Sequence, residues 1–586
     1  MFRSVGAVAV FAAIMLVRGH LAQAQAPSFT RIVVFGDSLS DDGNVAHRVR
    51  DTFGFSYPSS NLAFNYSDYR FTNSSQTDPG GTAYEGVWHE QLANSFLHIP
   101  PASNSLDGGA DYAFGGATTQ NGSQTRTVVN DPSPFTGGTY TITIDNMGKQ
   151  VDDYLATHAA EPRALYIVWG GGNDLFDNQS AATVTAAATR VALLVERLAN
   201  AGGRYFLVPN VPPLGAVPNS FGDPQRVAAL NIASASYRDK LNTAMAQAKI
   251  DLARGGINIQ LYVLDVWLDL LRLVSEPAKY GFINATEPAQ GKSVNPDQYL
   301  FWDDIHPTTA GHHQIAMEAF RLLSGQIPPL GRATNISTRG LVGTGNNILI
   351  GGFIVEGTQP KQVIIRGLGP TLATAGVTGL LADPTLTVFN SNHAIIATND
   401  NWKDTQQAAI QASGYAPPND AEPAVILTLA PGSYTAALSG VNASTGIALL
   451  EVYDLAPSAA STFHNLSTRG FVGTSNNVLI GGLIVAAGEP PVVVVRALGP
   501  TLANYGITAP LADPTIRLFN GNGVAVSFND DWGTDHPTAV KATLLAPPNA
   551  KESAIVMSLP AGNYTAIVQG KNGTTGVALV EAYRAD

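Results

Sequence analysis

Arg31-Ile32-Val33-Val34-Phe35-Gly36-Asp37-Ser38-Leu39 is an apolar run that stops on a glycine and delivers a serine. Four consecutive apolar residues without alternation read as a strand buried on both faces, as in a parallel sheet. Working outward, Ala164–Trp169, Tyr205–Val208 and Ile257–Leu264 have the same character. Between them lie helical patterns at Ala181–Asn200, Gln225–Arg254 and Thr309–Leu323. Strands alternating with helices predict an α/β domain over residues 28–325, three layers deep with a parallel sheet in the middle. Ligands of such sheets bind at the carboxyl ends of the strands. Ser38, Asn173 and Asn210 each follow a strand and fall on that edge.

A serine hydroxyl becomes a nucleophile when a base, a group orienting that base, and donors for an oxyanion are in place. Phe301-Trp302-Asp303-Asp304-Ile305-His306-Pro307-Thr308 supplies a base and its carboxylate. Asp303 stands three residues before His306, so one helical turn or a tight loop joins them. Asp304 competes for the orienting role. Taken alone, Ser38 is equally a cap for a helix over Leu39–Ala46, and Asp303 a cap for the next helix. The run is not a Gly-x-Ser-x-Gly elbow, because Ser40 occupies the second glycine position.

The block Gly36-Asp37-Ser38-Leu39 resembles the first signature of the GDSL, or SGNH, hydrolases. Asp111-Tyr112-Ala113-Phe114-Gly115-Gly116-Ala117 is similar to the block that carries the oxyanion glycine. Gly171-Gly172-Asn173-Asp174 resembles the oxyanion-asparagine block, and Trp302 to Thr308 the final one. Arg70-Phe71-Thr72-Asn73, Val87–Ala93 and Asn210–Gly215 look like the lipase-like branch. The resemblance spans residues 28–325. It implies a flavodoxin-like sheet, with Ser38 as nucleophile, His306 as base and acid, and Asp303 as orienting carboxylate. It also implies an oxyanion hole of the Ser38 and Gly116 N–H groups and the Asn173 amide, with Gly115 the alternative to Gly116. Asp111 departs from the pattern, since many relatives have Asn there. Asn121–Tyr140 reads as an inserted loop.

The second half is a duplicated domain. Asn335–Gly340 recurs as Asn465–Gly470, Asp383-Pro384 as Asp513-Pro514, Trp402 as Trp532, and Glu451 as Glu581, all in one register. A period this long is a whole domain rather than a solenoid unit. Short apolar runs between Gly, Pro and Asn predict two all-β sandwich or jelly-roll copies, at 335–455 and 465–586. A hinge is expected near Gln326–Thr334 and a linker at Ala456–Thr462. Asp400 and Asp404, with Asp530 and Asp535 in the second copy, offer clustered oxygens for Ca²⁺, or else form Asx turns before a tryptophan. No cofactor is expected for catalysis. Trp169 and Trp302 are read as core, and His312 and His313 as packing or surface residues.

The chain has no cysteine, so disulfides and thiolate metal sites are excluded. A formal charge of −12 and few charged residues (13%) argue against a nucleic-acid partner. Arg3 followed by the apolar run Val5–Val17 and by Ala22-Gln23-Ala24 reads as a signal peptide over residues 1–24. The protein is therefore expected outside the cytoplasm, extracellular or periplasmic. Asn65, Asn121, Asn335 and Asn465 begin Asn-x-Ser/Thr triplets, which matter only in a host that glycosylates.

The expected activity is ester hydrolysis through an acyl-serine intermediate, on lipid or short-chain acyl esters. The same site would support deacetylation of a polysaccharide, or thioester hydrolysis. From another class, the β copies would anchor the protein to a surface or glycan beside a vestigial hydrolase domain.

Overall fold

The computed structural model describes residues 27–585, except residues 56, 59–65, 68, 75–81, 130–138 and 476. The leader expected over residues 1–24 and the Asn65 triplet lie outside the described residues.

The first half is built on four parallel strands in sequential order: β1 (Ile32–Gly36), β2 (Leu165–Trp169), β3 (Tyr205–Pro209) and β4 (Gln260–Leu264). All five residues of β1 and of β2 are buried. Because successive side chains point to opposite faces, helices must cover both. On the free side of β1, Ala110–Tyr112 adds a short parallel partner through Val34 N–H to Ala110 O (2.9 Å) and Tyr112 N–H to Val34 O (2.8 Å). Counting that segment, the second piece of sheet in the chain lies outside the first, the flavodoxin-like order. Strand order therefore reverses between β1 and β2, and a crevice opens at the carboxyl end of β1.

Among the helices of this domain, α1 (Ala181–Asn200) and α2 (Pro224–Arg254) pack against each other, and α3 (Val266–Ser275) and α4 (Thr309–Leu323) follow in the chain. Asp223 caps α2 and Thr308 caps α4 with side-chain oxygens. Residues 37–43 form a turn, and the first helix begins only at Asn44. Ser38 is thus not a helix cap, because Gly43 takes that position. The expected insertion Asn121–Tyr140 carries the first strand of a hairpin, Ser123–Val129, whose partner Thr139–Asp145 runs past its expected end.

The second half is a large, mainly antiparallel β region in two layers. In the first copy Pro384–Asn390 buries alternate residues, and Leu386, Val388 and Leu438 share a core with Val363 and Ile365 of the facing strands. The two copies exchange pairing partners. The first strand of copy one, Ala333–Val342, pairs with Gly446–Asp454 of its own copy and with Leu479–Val485 of copy two. The first strand of copy two, Ser461–Val472, pairs with Gly576–Arg584 and with Leu349–Gly357 of copy one. These two first strands touch in parallel at Phe463–Ala333 and Phe471–Leu341, and the Thr338 and Thr468 hydroxyls bond to each other. A Cβ on Gly340 would come within 3.0 Å of Leu349 and 3.2 Å of Leu479, so the glycine makes room for leucines of both copies. The expected linker is correspondingly short, since Ser461 and Thr462 already lie in a strand.

The Asn335 and Asn465 side chains are buried in these strands, so neither is a surface glycosylation acceptor. Among the described residues, no helix is long and apolar enough to cross a membrane.

Candidate active site

Three side chains from two distant parts of the chain form one line. The His306 Nε2 lies 2.8 Å from Ser38 Oγ, and His306 Nδ1 lies 2.7 Å from Asp303 Oδ2. With Nδ1–H given to the carboxylate, Nε2 is left to accept the serine proton. Asp303 Oδ1 accepts the Ile305 and His306 N–H groups (2.8 and 2.6 Å), which shapes the tight loop the spacing allowed. Tyr66 donates to Asp303 Oδ2 at 2.6 Å. Burial pushes the Asp303 carboxyl up, but the His306 charge and these hydrogen bonds outweigh it and hold it below the usual range. Asp304 points elsewhere and is exposed, so Asp303 is the residue placed at the imidazole.

The histidine loop is pinned by the segment around Phe71. The Phe71 ring lies 5.0 Å from the His306 ring. Thr72 Oγ1 donates to Pro307 O at 3.0 Å, and Asn73 Oδ1 accepts the Thr309 N–H at 2.8 Å. Here the lipase-like blocks acquire a physical role, which is to fix the entry to α4. Sequence reasoning missed Tyr66, which has no spacing signal because it reaches Asp303 across 237 positions.

The serine turn is held from below by Asp41. Its carboxylate accepts the N–H groups of Gly43 (2.9 Å), Asn44 (2.7 Å), Val45 (3.2 Å) and Gly115 (2.8 Å). It therefore ties the serine turn to the glycine pair. The Gly115 N–H is used in that bond, whereas among the described residues nothing accepts from the Gly116 N–H. Gly116 has φ +81°, the left-handed region that favours glycine. Its carbonyl is fixed by Gln124 Nε2 (2.9 Å) and Arg126 Nε (3.0 Å) from the inserted hairpin. Asn173 donates one amide hydrogen to Ala117 O at 2.9 Å, so it sits beside the same glycine loop. Gly171 before it, at φ +112°, has no room for a Cβ, which would meet the Tyr237 ring at 2.7 Å.

Asp37, beside the serine, is pushed up to about 6 by burial, against the Leu39 N–H bond and the His306 charge. Deeper in, Asp42 N–H donates to Asp111 Oδ2 at 3.0 Å, and His89 Nε2 lies 3.9 Å from the same oxygen. Burial and the neighbouring Glu90 charge push Asp42 up to about 8, and burial with Asp42 pushes Asp111 well up. The departure at Asp111 thus creates a buried pair of carboxyls.

Ser38 and Asn173 open on a cavity of about 100 Å³, with Trp169, Phe176, Leu214 and Val217 in its apolar wall. Trp169 is buried as expected, yet it also lines this cavity; Trp302 is wholly core. His312 is buried and accepts the Trp88 N–H (3.3 Å), and His313 stacks on Tyr84, so both are packing residues. The proposed calcium sets are regrouped. The carboxylates that converge are Asp513, Asp530 and Asp531, and Lys571 Nζ stands 2.6 Å from Asp530. Asp535 pairs instead with His536 (3.3 Å), and the Asn401 amide contacts both Asp400 and Asp404 (3.4 Å each).

Residues 32–319 match the model of the GDSL-like Lipase/Acylhydrolase family. Esterase EstA of Pseudomonas aeruginosa is 29% identical over 353 residues, covering 53% of this chain and 50% of its own length. Phosphatidylcholine-sterol acyltransferase of Aeromonas hydrophila is 24% identical over 352 residues, covering 51% of this chain and 92% of its own. The chain thus spans about half the length of EstA. A solved member of the lipolytic G-D-S-L family from Veillonella parvula covers 50% of this chain and 97% of its own, at 14% identity and a TM-score of 0.25. Residues 32–319 of this chain are therefore a GDSL-like lipase/acylhydrolase domain.

Proposed function

We propose that the protein is a carboxylic ester hydrolase working through an acyl-serine intermediate. The observation that carries this reading is the unbroken line Ser38–His306–Asp303, at 2.8 and 2.7 Å. Ser38 Oγ attacks the ester carbonyl carbon while His306 Nε2 takes its proton. The carbonyl oxygen becomes an oxyanion, received by the Ser38 and Gly116 N–H groups and the Asn173 amide, which exchanges its long contact with Asp37 Oδ2 (3.5 Å) for it. The tetrahedral intermediate collapses and the C–O bond to the leaving alcohol breaks, with the His306 proton passing to that oxygen. Water then repeats the sequence on the acyl-serine, releasing the acid and restoring the hydroxyl. Asp303 stays ionised and stabilises the imidazolium.

The apolar cavity beside Ser38 favours an acyl chain over a bare acetyl group, so acyl esters are preferred to acetylated glycans as substrate. Export under the residue 1–24 leader belongs to the same reading. A fluorophosphonate probe followed by peptide mass spectrometry tests the nucleophile. A single adduct on Ser38 is expected, much slower in His306→Ala. Labelling elsewhere, with Ser38 unmodified, would overturn the assignment.

A further inference from the structure

The second β copy is packed onto the hydrolase, and it touches the elements that wall the acyl cavity. Val492, Val494, Ala539, Val540, Ala542 and Val556 of copy two belong to the same continuous apolar core as β1–β4. The short helix Pro537–Ala542 lies against α3 and against the turn Leu214–Ala216. The other side of these elements faces the cavity, through Leu214, Leu270 and Leu273.

The cavity also has a charged wall, made by Asp269, Arg272 and Glu318. Arg272 lies 3.5 Å from Asp269 and 3.8 Å from Glu489 of copy two, and donates to Pro490 O at 3.3 Å. Glu489 also accepts from Arg321 at 2.9 Å, and Arg321 in turn bonds Glu318 at 2.8 Å. These side chains are 11–27% exposed, so the network is an inner wall rather than a rim. Glu489 is itself fixed by its backbone. Its N–H donates to Pro329 O at 3.0 Å and its carbonyl accepts the Gly331 N–H at 2.8 Å. Gly488 permits that approach, because a Cβ there would fall 2.4 Å from the Pro329 carbonyl. The segment expected as a free hinge is therefore clamped by copy two.

We propose that copy two is a working part of the ester site, with Glu489 as a positioning residue. It holds Arg272 and Arg321 in the charged wall of the acyl cavity, and that wall sets the longest acyl group accepted. An acyl chain that reached the wall would desolvate paired charges and give nothing in return. Without Glu489, Arg272 is left with Asp269 and the Pro490 carbonyl as anchors, and the wall yields to longer chains. The inference rests on the ester-hydrolase reading.

The test is kcat and KM of the full chain on 4-nitrophenyl esters from acetyl to dodecanoyl. Glu489→Ala is expected to raise the ratio of kcat/KM for the longest esters over the acetyl ester by about tenfold, chiefly through KM. Glu489→Gln, which keeps the size and both backbone bonds, moves the ratio the same way by less. Gln359→Ala, at the matching position of copy one, leaves it unchanged. The acetyl ester with Ser38→Ala reads out the hydrolase assignment separately. If that control is inactive as expected, and neither Glu489 variant moves the profile, copy two is only docked and the proposal is overturned.

Discussion

Two copies of one β fold stand 130 positions apart and have opposite dealings with the hydrolase domain. Their internal supports are the same to within a tenth of an ångström or so. Arg366 reaches Glu451 at 2.7 Å and Tyr415 O at 2.8 Å; Arg496 reaches Glu581 at 2.6 Å and Leu545 O at 2.8 Å. Glu422 accepts from Gly369, Thr371 N–H and Thr371 Oγ1, and Glu552 does the same for Gly499 and Thr501. The differences lie on one face. Copy two has Gly488-Glu489-Pro490 and Val492 where copy one has Thr358-Gln359-Pro360 and Gln362. Gln362 is exposed, whereas Val492 is wholly buried against the hydrolase domain. Duplication thus preserved the framework, and a few surface positions decided which copy docks.

The strongest way to break this contrast is to place a charge at the equivalent apolar positions Val540 and Ile410. Both are buried, Val540 in the shared core and Ile410 in a small cluster of copy one with Trp402. Each aspartate should cost about 3–5 kcal/mol, as a buried charge without a partner. Val540→Asp is expected to lower the calorimetric Tm and, by loosening the docked face, to shift the ester profile toward longer chains as Glu489→Ala does. Ile410→Asp should lower stability alone. Equal effects of the two on hydrolysis would erase the distinction between the copies.

A smaller effect tests the sameness of the framework. Arg366→Ala and Arg496→Ala each strand a buried glutamate and should cost about 3 kcal/mol, alike within about 0.5 kcal/mol by denaturant unfolding. A gap much beyond that would mean that docking has altered the inner structure of copy two.

The mildest prediction contrasts these arginine-matched carboxylates with the unmatched pair in the hydrolase domain. Asp42 is raised from its usual 3.8 to about 8, so the native state keeps a proton that the unfolded chain sheds. The stability linked to that proton is full below about pH 4 and is lost as the pH rises to about 8. Asp111→Asn removes one of the two carboxyls. Asp111 is itself raised well above its usual range, so the variant loses that share and should flatten the fall in unfolding free energy between about pH 4 and about pH 8 by about 1–2 kcal/mol. Parallel pH curves for the variant and the wild type would count against the carboxyl pair.

Much of this molecule is legible in the chain itself. The helices Ala181–Asn200 and Thr309–Leu323 have the expected bounds, and three of the four strands match within a residue at each end, because each element's periodicity is local. The last strand starts at Gln260 rather than Ile257, since the chain leaves the preceding helix through Gly255-Gly256. Ser38, Asp303 and His306 are legible because one turn fixes the pair and one strand end presents the serine. Asp41 and Tyr66 are not, since their partners are chosen only by folding. The repeat is plain in sequence, but its period is silent about which copy supplies the partner of each first strand. Gln359 and Glu489 read as ordinary surface variation until the docked face is seen.

The central claim is that Ser38, driven by His306, cleaves esters. The most direct measurement is steady-state hydrolysis of 4-nitrophenyl butyrate by the full chain beside Ser38→Ala. A fall in kcat of about 10⁴-fold or more, with the variant's Tm unchanged, is predicted. A folded Ser38→Ala protein that keeps its rate within about tenfold of the wild type would contradict the account.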